Sequence, residues 1–329
     1  MYQIPVIFDV DTGLDDAMTL AMACATPEID VRAVTCTFGN NDLHHTLRNT
    51  LNMLKLLGRE DIPVAAGADE PLLRKRGAAD EVEQGGKVVH GVDGLGGFRF
   101  PFPDATAALS EKNAVDLTYQ VLMESEEPVV YCALGAHGNP GRLLQKYPEV
   151  KSKIKCFVNM GGYIRNGTLS PMSSVNIFYD PHGAAIMLES GIPFYMCPGD
   201  LTGHALITLE EMKELEGFQS PVGKAINYFL KEYYRTCSAL GEDVIDGLRG
   251  QSLHDPCALD FIVHPEHFTY GRYYCRVETE SELCTAMTVI DYEDTLHLPK
   301  EEKNLFFVDT VDREAFVSYF LDCIRSYEA

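Results

Sequence analysis

The ten cysteines of this chain form no C-x-x-C pair and fall singly along 329 residues. That pattern leaves out a cysteine-based zinc site. Several of them sit inside apolar strand-like runs, as small core residues do, so a reduced, cytoplasmic compartment is expected. No basic-then-apolar signal segment opens the chain, and no apolar stretch approaches membrane-spanning length, so a membrane is not expected as a partner. Basic side chains are scarce: 27 Lys and Arg stand against 49 Asp and Glu, a formal charge of −22. Such a balance argues against nucleic acid or an anionic membrane surface as the main partner. There is no G-x-x-x-x-G-K-[ST] phosphate loop, internal repeat, low-complexity tract or linker. A single domain over residues 1–329 is expected, and the 46% hydrophobic content suits an ordinary globule.

What the chain has in quantity is acid, and one segment concentrates it. Residues 9–16 read Asp9-Val-Asp11-Thr-Gly13-Leu-Asp15-Asp16, four carboxylates directly after the apolar run Ile4-Pro-Val-Ile-Phe8. That run is short and rich in β-branched residues, so it predicts a buried strand. Asp15-Asp16-Ala-Met-Thr-Leu predicts a helix with acids at its start, where the dipole favours them. The acids therefore gather at the carboxyl end of the first strand, where open α/β sheets place their ligands. Four anions so close need a cation or a strong split in pKa. Every nearby side-chain donor is an oxygen, which favours Ca²⁺ or Mg²⁺ over zinc.

Strand-like runs near 6–10, 31–38, 62–65, 128–134, 155–160 and 193–197 alternate with helical patterns near 15–26, 42–57, 113–125, 138–147 and 181–190. This rhythm predicts an α/β fold, a mostly parallel central sheet flanked by helices in a Rossmann-like open sheet. Two Gly/Pro-rich interruptions, at about 66–104 and 161–180, are long enough to carry function. Beyond residue 200 the pattern predicts helices over 208–216, over 221–240 and from His254, an antiparallel hairpin over 269–290, and a closing helix over 312–327.

Further motifs fall at predicted strand ends. His254-Asp255-Pro256 pairs a proton donor with a metal-competent carboxylate, though Asp before Pro also suits a helix start. His90-Gly-Val-Asp-Gly94-Leu-Gly96-Gly97 is a loop that can bring backbone close to a ligand. Asn176 can make bidentate hydrogen bonds to hydroxyls, and Asp180-Pro181 begins a helix. Gly39-Asn40 and Met160-Gly-Gly close the second and fifth strands. His264-Pro-Glu-His267 lacks helical i, i+4 spacing and the adjacent His44-His45 point apart, so neither pair is assigned a function.

Taken in order and spacing, these motifs, with Ala133-Leu-Gly135-x-x-x-Asn139, resemble the Ca²⁺-dependent nucleoside N-ribohydrolases from residue 4 to about 260. The resemblance implies hydrolysis of a ribonucleoside to ribose and free base. It places Ca²⁺ on Asp11, Asp16, Asp255 and the Leu134 carbonyl, with Asp11 also the general base on a metal-bound water. Asp15, Asn40, Met160 and Asn176 would meet the ribose, while His90 and His254 would lie on the side of the leaving base. His254 is the favoured proton donor, and Asp9 would orient the metal ligands. A homodimer or homotetramer is implied.

This chain departs from the family twice. Thr168 and Ser174 stand where the family commonly has the Asn and Glu that hold the ribose 5′-hydroxyl. Ala-His137-Gly-Asn replaces the more usual Pro-Leu-Thr-Asn. The expectation is a looser grip on the 5′ end, with poor turnover of common nucleosides or preference for a 5′-modified one. Two rival readings accompany it. One is a catalytically weak nucleoside- or sugar-binding homologue that keeps the metal site. The other is a haloacid-dehalogenase-type phosphatase, suggested by Phe8-Asp-Val-Asp11-Thr-Gly but with Thr and Gly transposed.

Overall fold

The computed structural model describes residues 3–73, 86–164, 167–168 and 170–329. Its first strand, β1 (Ile4–Val10), is buried over almost its whole length, as an apolar run in the interior of a parallel sheet must be. Around it stand β2 (Ile29–Cys36), β3 (Val64–Ala66), β4 (Val129–Ala133), β5 (Ile154–Met160) and β6 (Phe194–Cys197). With β10 (Phe268–Tyr273) and β13 (Leu305–Val311) they form one eight-stranded sheet in the order β10-β13-β6-β5-β4-β1-β2-β3. All neighbours pair parallel except β10 with β13.

The strand order reverses direction at β1. From it the chain steps outward through β2 and β3, then returns to place β4 on the other side. The carboxyl ends of β1 and β4 thus border the switch-point crevice in which open α/β sheets bind ligands.

Alternate residues feed two cores, as the two-residue period of a strand requires. Val6, Phe8 and Val10 of β1 face one core with α1 (Leu14–Ala25) and α2 (Leu43–Leu56). The same core takes α9 (Pro221–Leu240), α10 (His254–Val263) and α11 (Arg313–Arg325). Ile7, Tyr131 and Phe157 face the other core, covered by α3 (Ala114–Glu124), α4 (Gly138–Lys146) and α6 (Pro181–Leu188). Helix α1 is buried almost all round, Asp15 and Asp16 included.

The first half follows the predicted rhythm, each element within a few residues. The C-terminal part corrects it. The hairpin expected over 269–290 is only β11 (Cys275–Val277) paired with β12 (Thr288–Ile290). Residues 268–273 join the main sheet instead, against β13. That strand escaped notice because its run follows the charged Lys300-Glu-Glu-Lys303 and no βαβ rhythm announces it. A small sheet of β7 (Leu206–Thr208), β9 (Leu248–Ser252) and β8 (Val244–Ile245) was likewise unforeseen. The helix expected over 208–216 is α8 (Leu209–Met212) followed by a 3₁₀ stretch. Of the interruption expected over 66–104, residues 74–85 lie outside those described, and residues 86–90 are helical. The second interruption contains the short α5 (Val175–Tyr179). All ten cysteines are free, and among the described residues no helix is long and apolar enough to cross a membrane.

Candidate active site

The four acids of residues 9–16 lie at the end of β1, just beyond it or at the start of α1, and all are buried. Asp9 points under the crevice, where Thr35 Oγ1 (2.5 Å) and Asn139 Nδ2 (2.7 Å) both donate to its Oδ1. Burial nevertheless pushes its carboxyl up to about 7. Asp11 Oδ2 accepts the backbone N–H of Asn40 at 2.8 Å. Gly39 permits that approach, since a Cβ there would fall 1.9 Å from the same carboxylate oxygen. Asp16 accepts the N–H groups of Gly13 (2.9 Å) and Asp11 (3.3 Å) and the side-chain amide of Asn40 (3.2 Å). The first of these is the usual satisfaction of a helix N-terminal donor by an acid at the third position.

Helix α10 delivers Asp255 from the other side of the crevice. Asp15, Asp16 and Asp255 each present a ligand atom within 4.8 Å of the others. The electrostatic consequence is severe. Burial, then mutual repulsion, drives Asp11 and Asp255 well above the usual carboxylate range, and burial first of all raises Asp15 to about 6 and Asp16 to about 7. Asp11 Oδ1 and Asp15 Oδ1 are buried with no hydrogen-bond partner among the described residues. Buried orphan acceptors are rare in folded proteins. A hard divalent cation suits this all-oxygen donor set, satisfies the orphan atoms and removes the repulsion, so the residues present fit the ion the sequence implies.

The Leu134 carbonyl, just beyond β4, accepts a hydrogen bond from Asn176 Nδ2, which also reaches the Met160 carbonyl at 3.0 Å. Asn176 thereby ties α5 to the ends of β4 and β5. A cavity of about 130 Å³ opens over this floor. It is lined by all the substrate-side residues predicted from sequence (Asp15, Asn40, His90, Met160, Thr168, Ser174, Asn176), with Leu134, His254 and Asp255.

Both histidines face the cavity. His90 closes the helical segment 86–90, and its Nδ1 accepts the Leu14 backbone N–H at 3.1 Å. Gly13 allows this closeness, because a Cβ there would sit 2.6 Å from the same nitrogen. His254 Nδ1 lies 2.7 Å from the Thr202 hydroxyl of α7 (Gly199–Thr202). Burial pushes His90 down to about 3 and His254 down to about 4, so both imidazoles are neutral near pH 7.

Thr168 and Ser174, the departures from the family pattern, both line the cavity, and neither supplies a charge. Ser174 Oγ already accepts the Gly162 N–H at 2.7 Å, and the exposed Thr168 donates its hydroxyl to Tyr163 Oη at 3.3 Å.

Sequence reasoning missed several contributors. Tyr233 of α9 sends its hydroxyl to Asp15 at 3.3 Å and lines the cavity beside His90. Its neighbours do otherwise: Tyr228 donates to the Gly96 carbonyl and Phe229 is core. Tyr163, Cys237 and Glu242 also reach the cavity, and partial burial raises the Glu242 carboxyl. Their loop and helix positions gave no signal. His137 is fully buried, with Nδ1 3.2 Å from the Asn176 carbonyl oxygen and Nε2 against Asn159 Oδ1. Its only trace in the sequence was the departure from Pro-Leu-Thr-Asn.

The chain matches the family model described as inosine-uridine preferring nucleoside hydrolase over residues 6–318. It is 38% identical to the pyrimidine-specific ribonucleoside hydrolase RihA of Escherichia coli O1:K1 / APEC, over 98% of this chain and 99% of that one. Among solved structures it is similar to a purine-preferring ribonucleoside hydrolase from Gardnerella vaginalis, with TM-score 0.88 and 27% identity over 98% of this chain and 99% of the other. It is also similar to the plant nucleoside hydrolase PpNRh1, with TM-score 0.86 and 27% identity over 98% of both chains. A match of this extent sets the phosphatase reading aside. The chain belongs to the inosine-uridine preferring nucleoside hydrolase family, whose members hydrolyse the N-glycosyl bond of ribonucleosides.

Proposed function

We propose that the reaction runs at the acidic crevice with Asp11 as general base and with a Ca²⁺-class ion held by Asp11, Asp16, Asp255 and the Leu134 carbonyl. The observation that carries this reading is the pair of orphaned buried oxygens on Asp11 and Asp15 beside the three-carboxylate convergence. When bound, the ion supplies the charge that keeps these carboxylates ionised and acidifies water beside them.

The residues of the chain divide the remaining work. Asp15 and Asn176 receive the ribose hydroxyls, Asn40 and Met160 pack beside the sugar, and Tyr233 steadies Asp15 through its hydroxyl. Asp11 takes the proton of the attacking water, its carboxylate anchored through Oδ2 to the Asn40 N–H. As the glycosidic bond breaks, positive charge grows on the sugar ring, and the ionised carboxylates around it stabilise that oxocarbenium-like state. On the opposite side His90 lines the cavity and carries its proton on Nε2, because Nδ1 accepts from Leu14. His254 serves as leaving-group donor in the same neutral form, with Thr202 donating its hydroxyl to Nδ1. Asp9, held by Thr35 and Asn139, supports the strand end from which Asp11 projects.

Pyrimidine ribonucleosides are the favoured substrate class, supported by the similarity to a pyrimidine-specific relative along the whole chain. A hydrolysis panel of uridine, cytidine, inosine and adenosine, with and without chelator, tests both parts. Release of uracil or cytosine well above that of hypoxanthine, abolished by chelation, is expected. Purine release in excess overturns the base preference, and full activity in chelator overturns the ion's role.

A further inference from the structure

Helix α10 carries His254 and Asp255 at its first turn and ends at a second cluster of metal-competent side chains about ten residues, or roughly 15 Å, further on. His264 is the C-cap of this helix, and the 3₁₀ turn Pro265–His267 folds back beneath it, with the His267 N–H on the His264 carbonyl at 2.9 Å. The turn stacks the two imidazoles with ring centroids 4.7 Å apart and planes within 20°. Tyr319 of α11 holds the His264 ring from its edge at 4.8 Å. His264, Glu266 and His267 each present a ligand atom within 4.8 Å of the others.

We propose that His264, Glu266 and His267 form a second cation site, open to solvent and selective for Zn²⁺-class transition metals over Ca²⁺. Two features argue for a built site. First, Asp260 is a carboxylate with no exposed side-chain surface, and its oxygens lie 2.9 and 3.2 Å from His267 Nδ1. That contact places the proton on Nδ1 and leaves the Nε2 lone pair free, the carboxylate–imidazole arrangement that orients metal-binding histidines. Second, His264 Nδ1 and Glu266 Oε1 are 3.2 Å apart. Ligands at about 2.0–2.1 Å from a tetrahedral zinc ion lie about 3.3 Å from each other, so this pair already has the spacing of neighbouring ligands. Two imidazole nitrogens and one carboxylate, with water as fourth ligand, make a set that late divalent metals prefer and Ca²⁺ does not. The lack of i, i+4 spacing, which spoke against the motif in sequence, is no obstacle, because the 3₁₀ turn rather than a helix sets the ring positions.

The test is a titration of Ca²⁺-loaded protein with Zn²⁺ by calorimetry and with Co²⁺ by visible absorption. One tight equivalent is expected. His264→Ala and Glu266→Gln, on partly and largely exposed side chains, are expected to weaken it at least about tenfold and remove the Co²⁺ band. Nucleoside hydrolysis in Ca²⁺ should stay unchanged in both variants, which separates this site from the acidic crevice. His267→Ala leaves Asp260 buried without its partner and serves only as a check once its folding is verified. Equal Zn²⁺ affinity in wild type and both exposed-residue variants, or no tight equivalent in wild type, overturns the proposal.

Discussion

The Leu14 backbone N–H donates to His90 Nδ1 at 3.1 Å, so this imidazole, which lines the cavity, carries its proton on Nε2. With burial holding His90 down to about 3 and His254 down to about 4, neither ring charges near neutrality. In the proposed reaction both therefore serve as neutral hydrogen-bond donors to the departing base. At saturating cation, kcat/KM should be flat from about pH 7 to about pH 9, with no descending limb near the ordinary histidine pKa of about 6.5. A pH–rate profile that falls through that range contradicts this assignment.

The carboxylates of the crevice predict how cation binding depends on pH. Asp15 at about 6 and Asp16 at about 7 lie above the ordinary 3.8. Without cation the folded chain binds more protons than the unfolded chain between those limits. These groups therefore favour folding on the acid side of the window, and their contribution falls as pH rises through 6 to 7. A cation must displace those protons, so it binds more weakly in acid. The rise in Tm on adding Ca²⁺ to chelator-treated protein should be several-fold larger at about pH 8 than at about pH 5.5. An equal or larger rise at the lower pH contradicts this account.

His137 joins α5 to β5 by contacting the Asn176 carbonyl and Asn159 Oδ1, while Asn159 Nδ2 donates to the Gly161 carbonyl at 3.0 Å. Burial keeps this ring neutral, so it donates to one of the two acceptors, and replacing it with Leu leaves that buried acceptor unpaired at a cost of about 1–3 kcal/mol. Because Asn176 is proposed to meet the sugar and not the breaking bond, KM should rise about five- to tenfold with kcat changed less than about twofold. Steady-state kinetics of His137→Leu check this, with His137→Gln expected to restore part of the KM. An unchanged KM contradicts it.

In the proposed reading Thr168 and Ser174 meet the far end of the sugar with hydroxyls in place of the usual Asn and Glu, and Ser174 Oγ is already engaged by Gly162. Removing the 5′-hydroxyl from uridine should lower kcat/KM by no more than about tenfold, the scale of one ordinary hydrogen bond. A loss of several orders of magnitude shows that a strong 5′ grip persists, with Glu242 at the cavity as the carboxylate to examine next.

How much of this was legible in the sequence follows from which interactions are local. The strand–turn–helix over residues 4–25 announces itself because β1 is apolar throughout and Asp15 and Asp16 fall in the first helical turn. The sheet half built by βαβ units is readable for the same reason. β13 is not, since its antiparallel partner β10 lies more than thirty residues earlier and nothing between them keeps a period. Asp11, Asn40 and Asp255, which the fold brings to one crevice, were legible because their motifs are compact. Tyr233 and His137 act across long sequence separations, 218 residues to Asp15 and 39 to Asn176, and each is a residue type that usually packs or caps. Only the folded chain shows their contacts.

The central claim is that Asp11, in a cation-bearing acidic crevice, activates the water that cleaves the nucleoside. Its most direct test is the uridine hydrolysis rate of Asp11→Asn in saturating Ca²⁺, with Ca²⁺ binding measured on the same sample. With the ion still bound, the account predicts a fall in kcat of about 10²–10⁴-fold, the usual contribution of a general base. A variant that binds Ca²⁺ and keeps wild-type kcat contradicts it.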